Sequence, residues 1–170
     1  MNKRKTEEKT WYAIYVKPRT EKKVALELEA EDIDYYLPLE KRLKQWSDRK
    51  KWVEEPLFRS YIFVNVNHKD YYRALVQNTV KYVTFEGKAV AVPPEQIEAI
   101  KVYLEEKEPI QPNDEDWETG KEVEVMTGKL TGLKGILMEV KGKSRVKVEI
   151  EVVGSAIILN IPKSKLRLLE

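Results

Sequence analysis

Residues 57–64 read Leu57-Phe58-Arg59-Ser60-Tyr61-Ile62-Phe63-Val64, and the first two-thirds of the chain is organised around them. The run follows Pro56, stops at polar Asn65 and closes on the aromatic or β-branched residues Tyr61, Ile62, Phe63 and Val64. A stretch this short and apolar suits a strand buried on both faces better than a helix. Its entry is less regular, because Phe58 and Tyr61 flank the polar pair Arg59-Ser60. Two aromatics three apart across a kink are placed to project from one edge of a sheet.

Toward the N-terminus, Trp11-Tyr12-Ala13-Ile14-Tyr15-Val16 is a second β-forming run, expected as a central strand. Lys17-Pro18-Arg19-Thr20 stops it, with Thr20 a candidate N-cap for a helix over 21–31 whose apolar stripe is Val24, Leu26 and Leu28. Ile33 to Leu39 reads as another strand ending at Pro38. Between it and the organising run lies the most basic segment. Lys41, Arg42, Lys44, Arg49, Lys50 and Lys51 stand against Asp48 alone, a local charge of +5. Trp46 and Trp52 bracket a Ser47-Asp48-Arg49 tip, which fits a hairpin or tongue. Basic residues interleaved with aromatics suit a nucleic-acid backbone and its bases. The alternative is a solvated hairpin whose tryptophans pack back on the sheet.

Toward the C-terminus, Asp70 to Gln77 reads as a short helix with Tyr71, Ala74 and Leu75 inward. A strand-like stretch over 78–85 and a turn at Glu86-Gly87-Lys88 follow, and Pro93-Pro94 opens a helix to about Lys107 with a stripe of Ile97, Ile100 and Leu104. Residues 109–119 hold two prolines and four acids with no base, and read as an acidic linker and domain boundary. Beyond it, short alternating strands over 121–125, 136–140, 145–153 and 156–161 carry a net +4 over 121–170. Gly128, Gly132 and Gly135 permit the bends of a small barrel.

Composition narrows the chemistry. Lys+Arg 31 against Asp+Glu 29 leaves only +2, so charge distribution says more than net charge. The absence of cysteine excludes a disulfide framework, a thiol nucleophile and a Cys-ligated zinc site. The single histidine, His68, has no visible catalytic partner and reads as a surface residue. No catalytic residue, metal or cofactor is expected, and action by binding rather than turnover is; a carboxylate-only metallonuclease would betray itself by magnesium-dependent cleavage. Residues 1–10 read as a solvated tail without the apolar core of a signal peptide, and no apolar run approaches the roughly 20 residues of a membrane span. A cytoplasmic protein is the expectation.

Leu57 to Val64 resembles the Leu-Phe-Pro-Gly-Tyr-Val-Phe-Val signature of the N-terminal (NGN) domain of NusG-type transcription elongation factors, with Arg59 for Pro and Ser60 for Gly. The usual pair implies a tight turn with a permissive second residue, a geometry Ser60 must manage with a Cβ. Trp11-Tyr12 with Lys17-Pro18-Arg19-Thr20-Glu21-Lys22-Lys23-Val24 is similar to the opening of such domains, and Asn78-Thr79 to a later family segment in which Val80 and Lys81 replace Pro and Gly. Val123 to Ile136 resembles the KOW motif. The 17–24 opening and the 45–51 stretch look most like the operon-specific UpxY-type antiterminator paralogues. The resemblance implies an α+β protein: a flexible tail over 1–10, a mixed α/β sandwich over 11–108, a linker over 109–120 and an antiparallel SH3-like barrel over 121–170. It implies a monomer that binds the clamp coiled coil of RNA polymerase through Trp11, Phe58, Arg59 and Tyr61. It implies contacts to the non-template DNA strand, and to nascent RNA, by Lys17, Arg19, Lys44, Arg49, Lys50 and Lys51. The KOW domain would meet a ribosomal protein or another factor. A KOW-bearing RNA-binding or ribosome-associated protein is the rival, which leaves Trp11, Phe58 and Tyr61 without a purpose.

Overall fold

The computed structural model describes residues 8–105, 119–141 and 145–169. The chain packs as two compact units, Met1–Val92 and Pro93–Glu170.

The first unit runs β1 (Thr10–Val16), α1 (Glu21–Ala30), β2 (Asp34–Tyr36), β3 (Leu39–Gln45), β4 (Lys50–Pro56), β5 (Tyr61–Val66), β6 (Thr79–Tyr82), β7 (Thr84–Phe85) and β8 (Lys88–Ala89). Its main sheet has the order β2-β5-β1-β6, with all pairs antiparallel. β1 is thus central, as its sequence implied, and β5 lies beside it inside the sheet. The organising run is therefore not at a sheet edge: only Tyr61 onward is strand, and residues 57–60 form the turn that leads in. Alternation along the pleat sends Ile14, Val16, Ile62, Val64 and Val66 to one face, where Val24, Ala25 and Leu28 of α1 complete the core. Leu26 points to solvent at 66% exposure, so the helix stripe uses Ala25 in its place. Nor does Thr20 cap α1 through its side chain; its hydroxyl donates to the Lys17 carbonyl.

Two further expectations change. The segment over 33–39 splits into β2 and the start of β3, with Pro38 between them. Residues 70–77 form turns instead of a helix, with a single helix-like bond from the Ala74 N–H to the Asp70 carbonyl. Eight residues cannot recover the cost of helix nucleation unaided, and here packing favours another course. The Tyr71 ring stacks on Tyr82 at 4.2 Å and meets Tyr12 edge-on, while Leu75 stays exposed.

The second unit opens with α2 (Pro94–Glu105), whose buried residues are Ile97, Ala99 and Ile100. It continues with β9 (Glu122–Val125), β10 (Lys134–Lys141), β11 (Arg145–Val152), β12 (Ser155–Pro162), a 3-10 turn and β13 (Leu166–Leu168). These strands make one antiparallel sheet in the order β12-β11-β10-β9-β13. In this sheet four strands form a meander, and the short last strand returns to pair with the first. Its core is Val123, Val125, Leu133, Leu137, Val148, Val152, Ile157, Leu159 and Ile161. Gly128 and Gly132 take positive φ at the bends, while Gly135 sits in the ladder opposite Val123. α2 packs on β12 and groups with this unit. The expected linker, 109–119, falls almost wholly outside the described residues.

Candidate functional site

Three neighbouring features of the first unit carry the candidate chemistry: the outer face of the main sheet, a ribbon that stands apart from it, and a cleft at the ribbon's root.

The outer face follows from the same alternation that built the core. Trp11, Ala13 and Tyr15 of β1 lie opposite Asn65, Phe63 and Tyr61 of β5. Tyr15 and Tyr61 meet edge-on at 5.4 Å, and Tyr36 of β2 stacks against Phe63 at 6.5 Å. Phe58 closes on Phe63 edge-on at 6.0 Å and is only 5% exposed. Of the aromatics expected to converge, Phe58 is therefore a buried support, while Tyr61 and Trp11 are half-buried. Trp11 and Tyr61 share the face but sit four residues apart in register, about 13 Å along the strands. Among the described residues Trp11 makes no ring contact. Tyr15, which the sequence reading passed over, is the direct partner of Tyr61; the period-2 pattern of Trp11-Ala13-Tyr15 was the available signal.

Among the described residues β3 and β4 pair only with each other, from Leu39↔Pro56 out to Gln45↔Lys50, and the Trp46 N–H bonds the Arg49 carbonyl across the tip at 2.7 Å. The expected hairpin is present, and residues 41–52 are exposed throughout. The tryptophans do not pack back: Trp46 and Trp52 are 55% and 65% exposed. Register gives the two faces different chemistry. Leu43 sits opposite Trp52 on one face; Arg42, Lys44 and Lys51 share the other, and Arg49 follows at the tip beyond the paired strands. On that second face Lys44 lies directly opposite Lys51, an arrangement that like-charge repulsion disfavours. Glu40 takes Arg42 and Glu55 takes Lys44, nearer the root. The hydrogen bond from Lys44 lowers the Glu55 carboxyl pKa below its ordinary value against a smaller opposing effect of desolvation, and the charges of Lys44, Arg42 and Arg59 add to the lowering. Lys50 lies on the other face, opposite Gln45, and Lys17 is exposed just beyond β1.

At the root, an open cleft of about 500 Å³ is lined by Pro18, Arg19, Lys22, Lys44, Glu55 and Arg59, among others. The turn over 57–60 shapes one wall. Ser60 does adopt the left-handed conformation that a glycine would take freely, at φ 65. It is held there by its own backbone: its N–H donates to the buried Glu21 carboxylate at 2.9 Å, and its carbonyl accepts from the Val16 N–H at 2.8 Å. The first turn of α1 is thereby tied to the entry of β5. Arg59, exposed on that turn, lines the cleft with Arg19 and Lys44, so the structure brings together cations that the sequence had assigned to two different surfaces. Lys22, not singled out before, reaches the Glu54 carbonyl at 2.9 Å.

Among the described residues no group of three or more His, Cys, Asp or Glu could hold a metal ion, and no helix is long and apolar enough to cross a membrane. The fold is of the mixed α/β class, with an aromatic sheet face and a cationic ribbon. The model of the family described as transcription termination factor nusG matches residues 9–101, more than half of the chain, which therefore belongs to the NusG family. NusG-family proteins are non-catalytic transcription elongation factors, and this chain is one by class. A solved structure of Thermotoga maritima NusG, described by its domain interaction, is 22% identical with a TM-score of 0.53, covering 95% of this chain and 98% of that one; it speaks for the fold. A structure of an MjSpt4:Spt5 complex covers 94% of this chain and 96% of that one at 17% identity, but its TM-score of 0.32 carries no argument. No curated protein matches the chain.

Proposed function

We propose that this protein binds RNA polymerase through the outer face of its main sheet and promotes processive elongation and antitermination at particular operons, as the UpxY-type paralogues do. The observation that carries the polymerase contact is the partly exposed aromatic row of Trp11, Tyr15 and Tyr61 on a sheet face backed by buried Phe58 and Phe63. Aromatic side chains bury much area with few rotors to freeze, and so make good hot spots. A helical coiled coil of the polymerase clamp is the partner such a face fits, with the ribbon reaching the displaced DNA strand or nascent RNA. The sheet over 121–170 serves as a KOW barrel that recruits a ribosomal protein or another factor. The protein works as a monomer in the cytoplasm.

The test separates support from contact. Tyr61→Ala should leave the melting temperature within a few degrees of the parent and weaken binding to core RNA polymerase by about 2 kcal/mol, some thirtyfold. Phe58→Ala should lower the melting temperature as well. Normal polymerase binding by a folded Tyr61→Ala, Trp11→Ala double variant would end the proposal. Co-purification of ribosomal subunits without polymerase would favour the ribosome-associated alternative.

A further inference from the structure

The cleft at the ribbon's root is lined by four cations, Arg19, Lys22, Lys44 and Arg59, against three acids. Of its acids, Glu21 accepts the Ser60 N–H and Glu55 is engaged by Lys44. Arg19 and Arg59 have no ion pair or side-chain hydrogen bond among the described residues, and both line the cleft, where Glu54 is the one acid whose carboxylate has no hydrogen bond or ion pair among those residues. Two guanidinium groups lining one concavity are suited to a tetrahedral anion, since each presents a planar fork of donors. The cleft does not stand alone. Lys44 belongs both to its wall and to the ribbon face that carries Lys51 and leads to Arg49. Arg49 to Glu55 spans about 20 Å of strand, so cations recur from the tip to the root.

We propose that the cleft seats a backbone phosphate of single-stranded nucleic acid, with Arg19 and Arg59 as its ligands, and forms the root end of a cationic track running along one ribbon face to Arg49. This rests on the reading of the ribbon as a nucleic-acid contact and adds to it a defined anchoring site. It also moves Arg59 from the polymerase face to the nucleic-acid surface. A protein partner would offer one or two carboxylates; a regular polyanion is what a line of cations matches. Arg59 stands where the related signature has proline, so the site would set this chain apart from relatives that keep the proline.

The test is fluorescence anisotropy with twelve-residue oligo-dT and oligo-U across a salt series, using the full chain. Arg19→Asn with Arg59→Ser removes both ligands; Asn tolerates the positive φ of 66 that Arg19 adopts. This pair should reduce the slope of log affinity against log salt by about 0.7 for the phosphate lost, with an unchanged melt. Arg59→Lys keeps the charge and hence the slope, while affinity drops several-fold because the fork is gone. Arg49→Ser with Lys51→Ser should flatten the slope independently. If the ribbon pair flattens the slope and the folded cleft pair does not, the cleft proposal is overturned and the ribbon reading survives. If neither pair alters it, both fall. Equal slopes for the two oligonucleotides are expected, since the phosphate is common to both. Displacement of oligo-dT by poly-glutamate at equal charge would show a general anion surface and overturn the proposal.

Discussion

The β1–β5 pair and the β3–β4 ribbon are both antiparallel, built of strands six or seven residues long, and both carry aromatic residues, yet they meet opposite fates. In the first, apolar residues occupy both faces of the pleat, so the pair is buried and its aromatics hold the sheet together. In the second, Leu43 and Trp52 are surrounded in sequence by Lys and Arg, no second layer can cover them without stripping water from the charges, and they stay in solvent. Aromatic content alone therefore says little about role. What decides is whether the neighbours two residues away can also leave water.

The largest test of this contrast is truncation on each side of it. Phe63→Ala should cost about 3–5 kcal/mol in denaturant unfolding, as for a fully buried ring, whereas Trp52→Ala should stay within about 0.5 kcal/mol. Comparable losses at both sites would break the comparison. Next, the tie between the two regions should be measurable at Glu21. Glu21→Ala leaves the Ser60 N–H buried without its acceptor, and a loss of about 1–3 kcal/mol is expected. Only a few tenths would mean the turn at the ribbon's root holds its shape unaided.

The buried side also has a signature in alkali. Burial pushes the Tyr82 hydroxyl well above the ordinary phenol range, with Tyr71 and Tyr12 adding to the shift, and the hydroxyl donates to the Tyr71 carbonyl. Because the folded value lies above the unfolded one of about 10, this contribution is complete below that pH and is lost as the pH rises toward the folded value. The urea midpoint should therefore fall between pH 9 and pH 11. Tyr82→Phe should lose about 1 kcal/mol at neutral pH and show a shallower alkaline fall. The smallest effect belongs to the ribbon and has the opposite sign. Lys51→Glu replaces a like-charge pair with Lys44 by an attractive one and should stabilise by about 0.2–1 kcal/mol, while oligonucleotide affinity drops. A variant that is both more stable and a weaker binder would show that the repulsion is maintained for a polyanion.

Much of the fold was legible because short-range chemistry imposed it. Strands β1 and β5, the basic hairpin, α1 and the alternating strands of the second unit all follow from local periodicity and turn residues. The expected helix over 70–77 failed because its helix-favouring pattern was weak and Tyr71 gained more from stacking on Tyr82. Leu26 was misassigned because α1 meets the sheet along Val24, Ala25 and Leu28, a direction set by the sheet and not by the helix.

The candidate site divides along the same line. Residue types were enough to mark Arg49, Lys50 and Lys51 as a cationic tip, since a run of like charge is a local property, whereas Trp11, Phe58 and Tyr61 were singled out through the family resemblance. Only the tertiary structure decided that Phe58 is a buried support, that Tyr15 pairs with Tyr61, and that Arg19, Lys44 and Arg59 line one cleft. These are facts of strand order and register. They depend on β5 inserting between β2 and β1 and on the Glu21–Ser60 bond closing the entry turn, pairings between residues tens of positions apart that no local pattern encodes.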